Sequence, residues 1–199
     1  MVTQLKHLKY EVVCEALTGE SVCGDQYLVK QLNDSILIAV ADGLGHGSEA
    51  AFAAKKALEI LDTYANESIV RLVQICDREL HNTRGIALTL ALIDGNNTLT
   101  YLAIGNVAGV CWQHDEEANW SRQSLFTQGG IVGSELSSLQ PNSITLKPGD
   151  IFVLATDGIQ EKFEFESPNL DCPEIMARRL FTTYRNSKDD GLILVAQFL

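Results

Sequence analysis

Basic residues are scarce in this chain. Fifteen Lys and Arg stand against 26 Asp and Glu, a formal charge of −11 over 199 residues. Such a surface repels nucleic-acid backbones and anionic lipid, so neither nucleic acid nor membrane is an expected partner. Long apolar runs are also missing: the longest, residues 36–41 and 87–93, are far too short to span a bilayer. The opening MVTQLKHLKYEVV lacks the apolar core and small-residue cleavage site of a signal peptide. Cys14, Cys23, Cys76, Cys111 and Cys172 are odd in number and scattered, with no CxxC pair. Buried free thiols in a reducing compartment, hence a cytoplasmic protein, are expected from that pattern. Only four prolines occur, and no linker, repeat or low-complexity tract interrupts the chain, so residues 1–199 are expected to form a single domain.

What is present reads as alternating blocks of strand and helix. KYEVVCEALTG reads as a strand ending at Gly19. YLVKQLNDSILIAVADG reads as a hairpin turning near Asn33-Asp34, its second strand apolar on both faces and therefore central. Ser48 is placed to cap a helix running to about Ala65, with Ala50, Ala53, Ala54, Ala57, Leu58, Leu61 and Tyr64 on one packing face. A second helix over 68–81 buries Ile69, Leu72, Val73, Cys76 and Leu80. Residues 85–113 read as three strands, the first joint carrying the turn signal Asp94-Gly95-Asn96-Asn97. After a polar loop at 114–119 come shorter strands up to DIFVLATDG. Asp171, with Pro173 in the first turn, starts a third helix, and KDDG leads into the last strand. This order predicts an α+β fold: two mainly antiparallel sheets packed together, with helices outside.

Several chemistries can be set aside. DGLGHG follows a strand and precedes a helix, but its glycine spacing is not G-x-G-x-x-G and no βαβ unit follows. No Gly-Lys-Ser/Thr exists for a P-loop, and GHGSEA lacks the last glycine of a nucleophile elbow. His7, His46, His81 and His114 show no zinc spacing. Carboxylates remain. Asp42 and Asp157 each follow an apolar strand and precede a glycine, Asp189-Asp190 precede the last strand, and Asp25 opens another. Converging carboxylates repel unless a cation or proton intervenes, and hard oxygen ligands suit magnesium or manganese rather than zinc.

Gly24-Asp25, VADGLGHG at 40–47, LAIGN at 102–106, LKPGDIFVLATDGIQE at 146–161 and KDD before the last strand occur in that order. Together they resemble the metal-dependent type 2C protein phosphatases, in their bacterial SpoIIE-like branch, over nearly the whole chain. The resemblance implies a β-sandwich flanked by helices and two Mn2+ or Mg2+ ions per active site. It also implies dephosphorylation of phosphoserine or phosphothreonine by attack of a metal-bridging hydroxide on phosphorus. Residue by residue, it implies that Asp42 bridges both ions and the Gly43 carbonyl ligates one of them. Asp157 would ligate the other with Asp189, Asp190 being the alternative, and Asp25 would hold metal-bound water. Asp42 and Asp157 are thus the expected catalytic residues. Two departures stand out: Leu44 occupies a position where many members carry His, leaving His46 as the candidate acid, and TGESVCGD lacks a phosphate-gripping arginine. Arg84 could contribute from another strand, against its reading as a solvated surface arginine. The short length resembles stand-alone phosphatases of the stressosome, whose implied partners are phosphorylated STAS-domain proteins of its scaffold. Trp112, Trp120, Phe163 and Phe165, at or beside loops 114–119 and 163–173, are candidates either for partner contact or for the core. Two other readings stay open, a pseudophosphatase acting as a binding module and a metal-dependent hydrolase of small phosphate esters. Retention of Asp25, Asp42, Asp157 and Asp189 argues against the first.

Overall fold

The computed structural model describes every residue except 1, 2, 6, 116, 118, 137 and 169–171. It begins with β1 (Thr3–Leu5), β2 (Leu8–Glu15), β3 (Asp25–Gln31) and β4 (Ile36–Gly43), then α1 (Ser48–Thr63) and α2 (Ile69–Leu80). There follow β5 (Ile86–Ile93), β6 (Thr98–Ile104), β7 (Ala108–His114) and β8 (Trp120–Ser124). Four short strands come next: β9 (Thr127–Gln128), β10 (Gly130–Ile131), β11 (Glu135–Leu136) and β12 (Asn142–Thr145). The chain closes with β13 (Ile151–Ala155), a 3-10 turn (Glu161–Phe165), α3 (Pro173–Tyr184) and β14 (Gly191–Phe198).

Side-chain parity in β4 shows how the layers arise. Ile36, Ile38 and Val40 point one way, Leu37, Ala39 and Ala41 the other, and both sets are buried in separate cores. The first core lies between two sheets. One runs β12-β6-β5-β4-β3, and the other runs β1-β2-β14-β13-β7-β8. From the second sheet Phe152, Leu154, Leu192, Leu194 and Ala196 fill the same space. The second core lies between β4, β5 and the helices α1 and α2, and a third joins β13 and β14 to Met176, Ala177, Leu180 and Phe181 of α3. Among the described residues every pairing within the two large sheets is antiparallel except the two-residue contact of β6 with β9. The predicted α+β sandwich, with helices outside, is therefore the observed fold. Among the described residues no helix is long and apolar enough to cross a membrane.

Local details depart from the sequence reading. Ser48 is the first residue of α1 rather than its cap. Gly47 holds that position at φ 76°, a left-handed conformation that glycine adopts without steric cost, and no side chain caps the helix. The helix ends at Thr63, and Tyr64 is 46% exposed instead of joining the packing face. Ser68 does cap α2, accepting the Arg71 amide at 3.3 Å, and Ile75 joins the predicted buried set. At α3 the N-cap residue is Cys172, and Asp171 lies outside the described residues. The cysteines are also not uniformly buried. Cys76 and Cys111 are core residues, whereas Cys14 and Cys172 are exposed and Cys23 is half-buried. Linear spacing carries no information on which thiols the sheets cover.

The two serines give a direct test of these helix starts. Ser68→Ala removes an accepting hydroxyl and should cost about 1 kcal/mol in denaturant unfolding. Ser48→Ala removes nothing that caps and should change stability by less than about 0.5 kcal/mol.

Candidate metal centre

β3 begins with Asp25, β4 runs out at Asp42-Gly43, and their register sets Asp25 directly opposite Asp42. Opposed residues of an antiparallel pair share a face with Cβ atoms roughly 5 Å apart, where like charges destabilise. Asp42 has the parity of Ile36, Ile38 and Val40, so both carboxylates stand on the inter-sheet side of the strand pair.

The facing sheet meets them at the same end. Just past β13, the buried Thr156 hydroxyl donates to Asp25 Oδ2 at 2.7 Å and accepts the Leu192 amide at 2.9 Å. One hydroxyl thereby ties β3 of the first sheet to β14 of the second. Asp157 comes next, and Asn106 Nδ2 donates to its Oδ2 at 2.7 Å. Asn106 belongs to the crossover by which the chain leaves β6 and enters β7 on the other sheet.

Asp189 and Asp190 precede β14 and are used differently. Asp190 is 2% exposed, and both its oxygens are taken: Oδ1 accepts the Leu17 amide at 2.7 Å and Oδ2 the Gly24 amide at 2.8 Å. Asp189 is half-buried, and its Oδ1 accepts the adjoining Asp190 amide at 2.8 Å. Arg185 braces this corner, donating to the carbonyls of Asp189 at 2.6 Å and Gly158 at 3.2 Å.

The glycines after Asp42 and Asp157 are demanded by packing. A Cβ on Gly43 would overlap the Ala50 carbonyl at the start of α1, and one on Gly158 would overlap the Asp190 carbonyl. Close approach of α1 thus fixes the end of β4, and the Asp190 segment fixes the turn after β13.

Burial and crowding set the electrostatics. Removal from water, then the fields of Asp25, Asp157, Asp189 and Asp190, push Asp42 up to about 8. Asp25 is pushed up to about 7, mainly by burial; the Thr156 hydrogen bond opposes this, and Asp190, Asp157 and Asp189 add to it. Asp157 is also raised, by burial and then by Asp189, against the Asn106 and Gly158 hydrogen bonds. Nothing lowers Asp42. Among the described residues its carboxylate meets neither a hydrogen-bond donor nor a basic side chain. Nor, among them, do three Asp, Glu, His or Cys side chains close into a ready-made ligand cage. The arrangement is an open set of mutually repelling oxygens. It suits magnesium or manganese, hard cations that retain several waters, and does not suit zinc.

The remaining candidates fall around this centre. His46 is exposed, and its Nδ1 donates to Glu20 Oε1 at 2.7 Å. Arg84 is exposed, as its reading as a surface arginine expects, and pairs with the exposed Glu49 at 2.5 Å beside Gly45 in the loop after Asp42. Trp112 and Phe163 are core residues, while Phe165 is 70% exposed with Arg122 stacked 4.0 Å from its ring. Beside Asp157 a cleft of about 640 Å³ opens, bordered by Asn106, Thr127, Gln160, Lys162 and Asn186. A separate hollow of about 360 Å³ lies among the turns at His7, Asn33 and Asn97 and touches none of the clustered carboxylates. Thr156, Asn106 and Arg185 escaped residue-by-residue reading. The first two lie inside the quoted ATDG and LAIGN phrases, but Arg185 has no sequence signal.

Comparison with known proteins places these features in context. The family described as Stage II sporulation protein E (SpoIIE) matches residues 33–198. Phosphoserine phosphatase RsbX of Bacillus subtilis (strain 168) is 25% identical over 159 residues, 79% of this chain and 78% of that protein. A crystal structure of RsbX in complex with magnesium superposes with a TM-score of 0.88 at 23% identity, covering 100% of this chain and 99% of that one. A structure reported for the bacterial stressosome, as a modular system adapted to control secondary messenger signaling, gives 0.85 at 29% identity, covering 96% and 100%.

The upward shifts of Asp42 and Asp25 fix the sign of a pH effect. Between the ordinary value of 3.8 and about 8, the native state holds protons that the unfolded chain has released. Metal-free stability from this cluster is therefore greatest below that window and is lost as pH rises through about 7 and 8. In chelator, Asp42→Asn should gain on wild type progressively as pH rises above about 4. It should exceed wild type by on the order of 1–3 kcal/mol near pH 8.5, read from melting curves. Parallel profiles for the two proteins would show that burial and crowding do not raise Asp42.

Proposed function

The chain belongs to the SpoIIE family, and from that premise we propose that it is a cytoplasmic, manganese- or magnesium-dependent protein phosphatase. Its substrates are phosphoserine or phosphothreonine residues on STAS-domain proteins of a stressosome-type complex. The observation that carries the reading is the Asp42 carboxylate, without a donor among the described residues, opposite Asp25 and in the field of Asp157 and Asp189. Asp42, the Gly43 carbonyl, Asp157 and Asp189 would hold two cations, with Asp25 acting through water. When bound, the cations supply positive charge against the phosphoryl oxygens and lower the pKa of water.

The chain's own residues position that chemistry. Asn106 and the Gly158 amide hold the Asp157 carboxylate at the cleft, and Thr156 holds Asp25 through its hydroxyl. Arg185 holds the backbone on both sides, at Gly158 and at Asp189. Lys162, at the cleft beside Asp157, offers a cation to an approaching phosphate. Exposed Phe126 and Phe165, with Arg122 over the latter, provide apolar surface for a folded protein substrate. The likeness to RsbX and to a stressosome structure supports the substrate class.

The test offers three phosphorylated substrates, with manganese or with chelator: a stressosome-scaffold STAS protein, an anti-anti-sigma STAS protein and an unrelated phosphopeptide. Phosphate release should need manganese and be fastest on the scaffold. Activity that survives exhaustive chelation sinks the metal assignment, and equal rates on all three sink the substrate assignment.

Asp189 and Asp190 should separate cleanly. Asp190→Ala strands the buried Gly24 amide and the half-buried Leu17 amide and should lower metal-free stability by about 2–4 kcal/mol. Asp189→Ala should leave that stability nearly unchanged but abolish turnover and the manganese-induced rise in melting temperature. The reverse pattern would make Asp190 the ligand.

A further inference from the structure

Cys14 and Cys23 stand nine positions apart, and the fold brings their Sγ atoms to 3.1 Å. Cys14 is in a strand of the second sheet, and Cys23 is in the loop that leads into the first. Cys14 lies in β2 opposite Leu192 of β14, and Cys23 lies two residues before β3. Cys14 is exposed and Cys23 half-buried, so a small oxidant reaches the pair from solvent. Their other polar neighbours are carbonyl oxygens, Asp25 at 3.8 Å from Cys14 and Glu15 at 3.6 Å from Cys23.

We propose that Cys14 and Cys23 are a reversible oxidation site for peroxide, closing to a disulfide that staples β2 to the loop leading into β3, beside the carboxylate cluster. One sulfur attacks a peroxide oxygen, breaking the O–O bond to give a sulfenic acid and one water. The second sulfur then displaces that oxygen as another water, forming the S–S bond. Two thiols and one hydrogen peroxide thus become one disulfide and two waters; the sulfurs are oxidised and the peroxide reduced. A dithiol reverses the step by exchange.

The bond has a mechanical consequence. A disulfide needs about 2.05 Å between sulfurs, so the pair must close by about 1 Å. Gly24 follows Cys23 and cannot absorb this freely: its amide holds Asp190 Oδ2 at 2.8 Å, and a Cβ there would lie 2.7 Å from that oxygen. Movement is therefore passed to Asp25 and Asp190. The loop between the cysteines also carries Glu20, the partner of His46. Coupling to turnover rests on the phosphatase reading; the disulfide itself does not.

The full chain is reduced, exposed to hydrogen peroxide, digested without reductant and mapped by mass spectrometry, and its manganese-dependent turnover is followed in parallel. A Cys14–Cys23 cross-linked peptide should form, disappear with dithiothreitol, and be absent from Cys14→Ser and Cys23→Ser. Turnover of the oxidised wild type should fall by about tenfold or more, since displacements near 1 Å cost catalysis heavily, and should recover with dithiothreitol. Cys14→Ser should stay insensitive to peroxide. Sulfinic acid at either sulfur without a cross-link, or a cross-link through Cys172 instead, overturns the site. A cross-link with unchanged turnover overturns the coupling. A protein that forms the cross-link yet hydrolyses nothing when reduced supports the disulfide and counts against the phosphatase alone.

Discussion

The rest of the structure is organised around one repulsion. Asp25 and Asp42 face each other across a strand pair at the end of an apolar sandwich, a placement that costs stability whenever both are ionised. A fold driven only by burial would not keep it. The surroundings hold the two groups in place without neutralising them: Thr156 bonds one, α1 packs down on Gly43 beside the other, and no basic side chain among the described residues is provided for Asp42. The core supplies rigidity and the cluster supplies stored electrostatic free energy, which binding of a divalent cation there would release.

Hydrogen-bond accounting distinguishes the aspartates that burial alone would group together. Asp150 is 1% exposed, and its carboxylate accepts Lys147 N and Gln113 Nε2, closing the turn before β13. Asp190 likewise closes the segment before β3. Both are spent on structure. Asp42 is not, Asp189 is engaged through one oxygen, and Asp157 is held by Asn106 and the Gly158 amide at the cleft rather than in the core. Local satisfaction thus separates supporting acids from available ones.

Much of this was legible in the sequence. Apolar runs on both faces of residues 36–43 and 86–93 announced central strands, and the repeated strand-Asp-Gly phrase announced a shared end. What stayed illegible depends on contacts distant in the chain. Nothing in KDDG says that Asp190 turns toward Leu17 and Gly24. Nothing near Ser48 says that a left-handed Gly47 begins the helix. The meeting of Cys14 with Cys23 needs both sheets assembled. The glycine after Asp42 was legible as a turn residue, but its reason, the Ala50 carbonyl pressed against it, is a packing fact.

The pairing of β14 with β2 reaches beyond the finished molecule. β14 comes latest in sequence among the described strands, yet it lies between β2 and β13 and supplies the Leu192 amide that meets Thr156. During synthesis the first sheet can form early, whereas the second must wait for its middle strand to leave the ribosome. Asp189 and Asp190 emerge just before it. A chain lacking β14 and the residues just before it therefore has neither a closed second sheet nor a complete acidic cluster, and both arrive together when β14 enters the sheet.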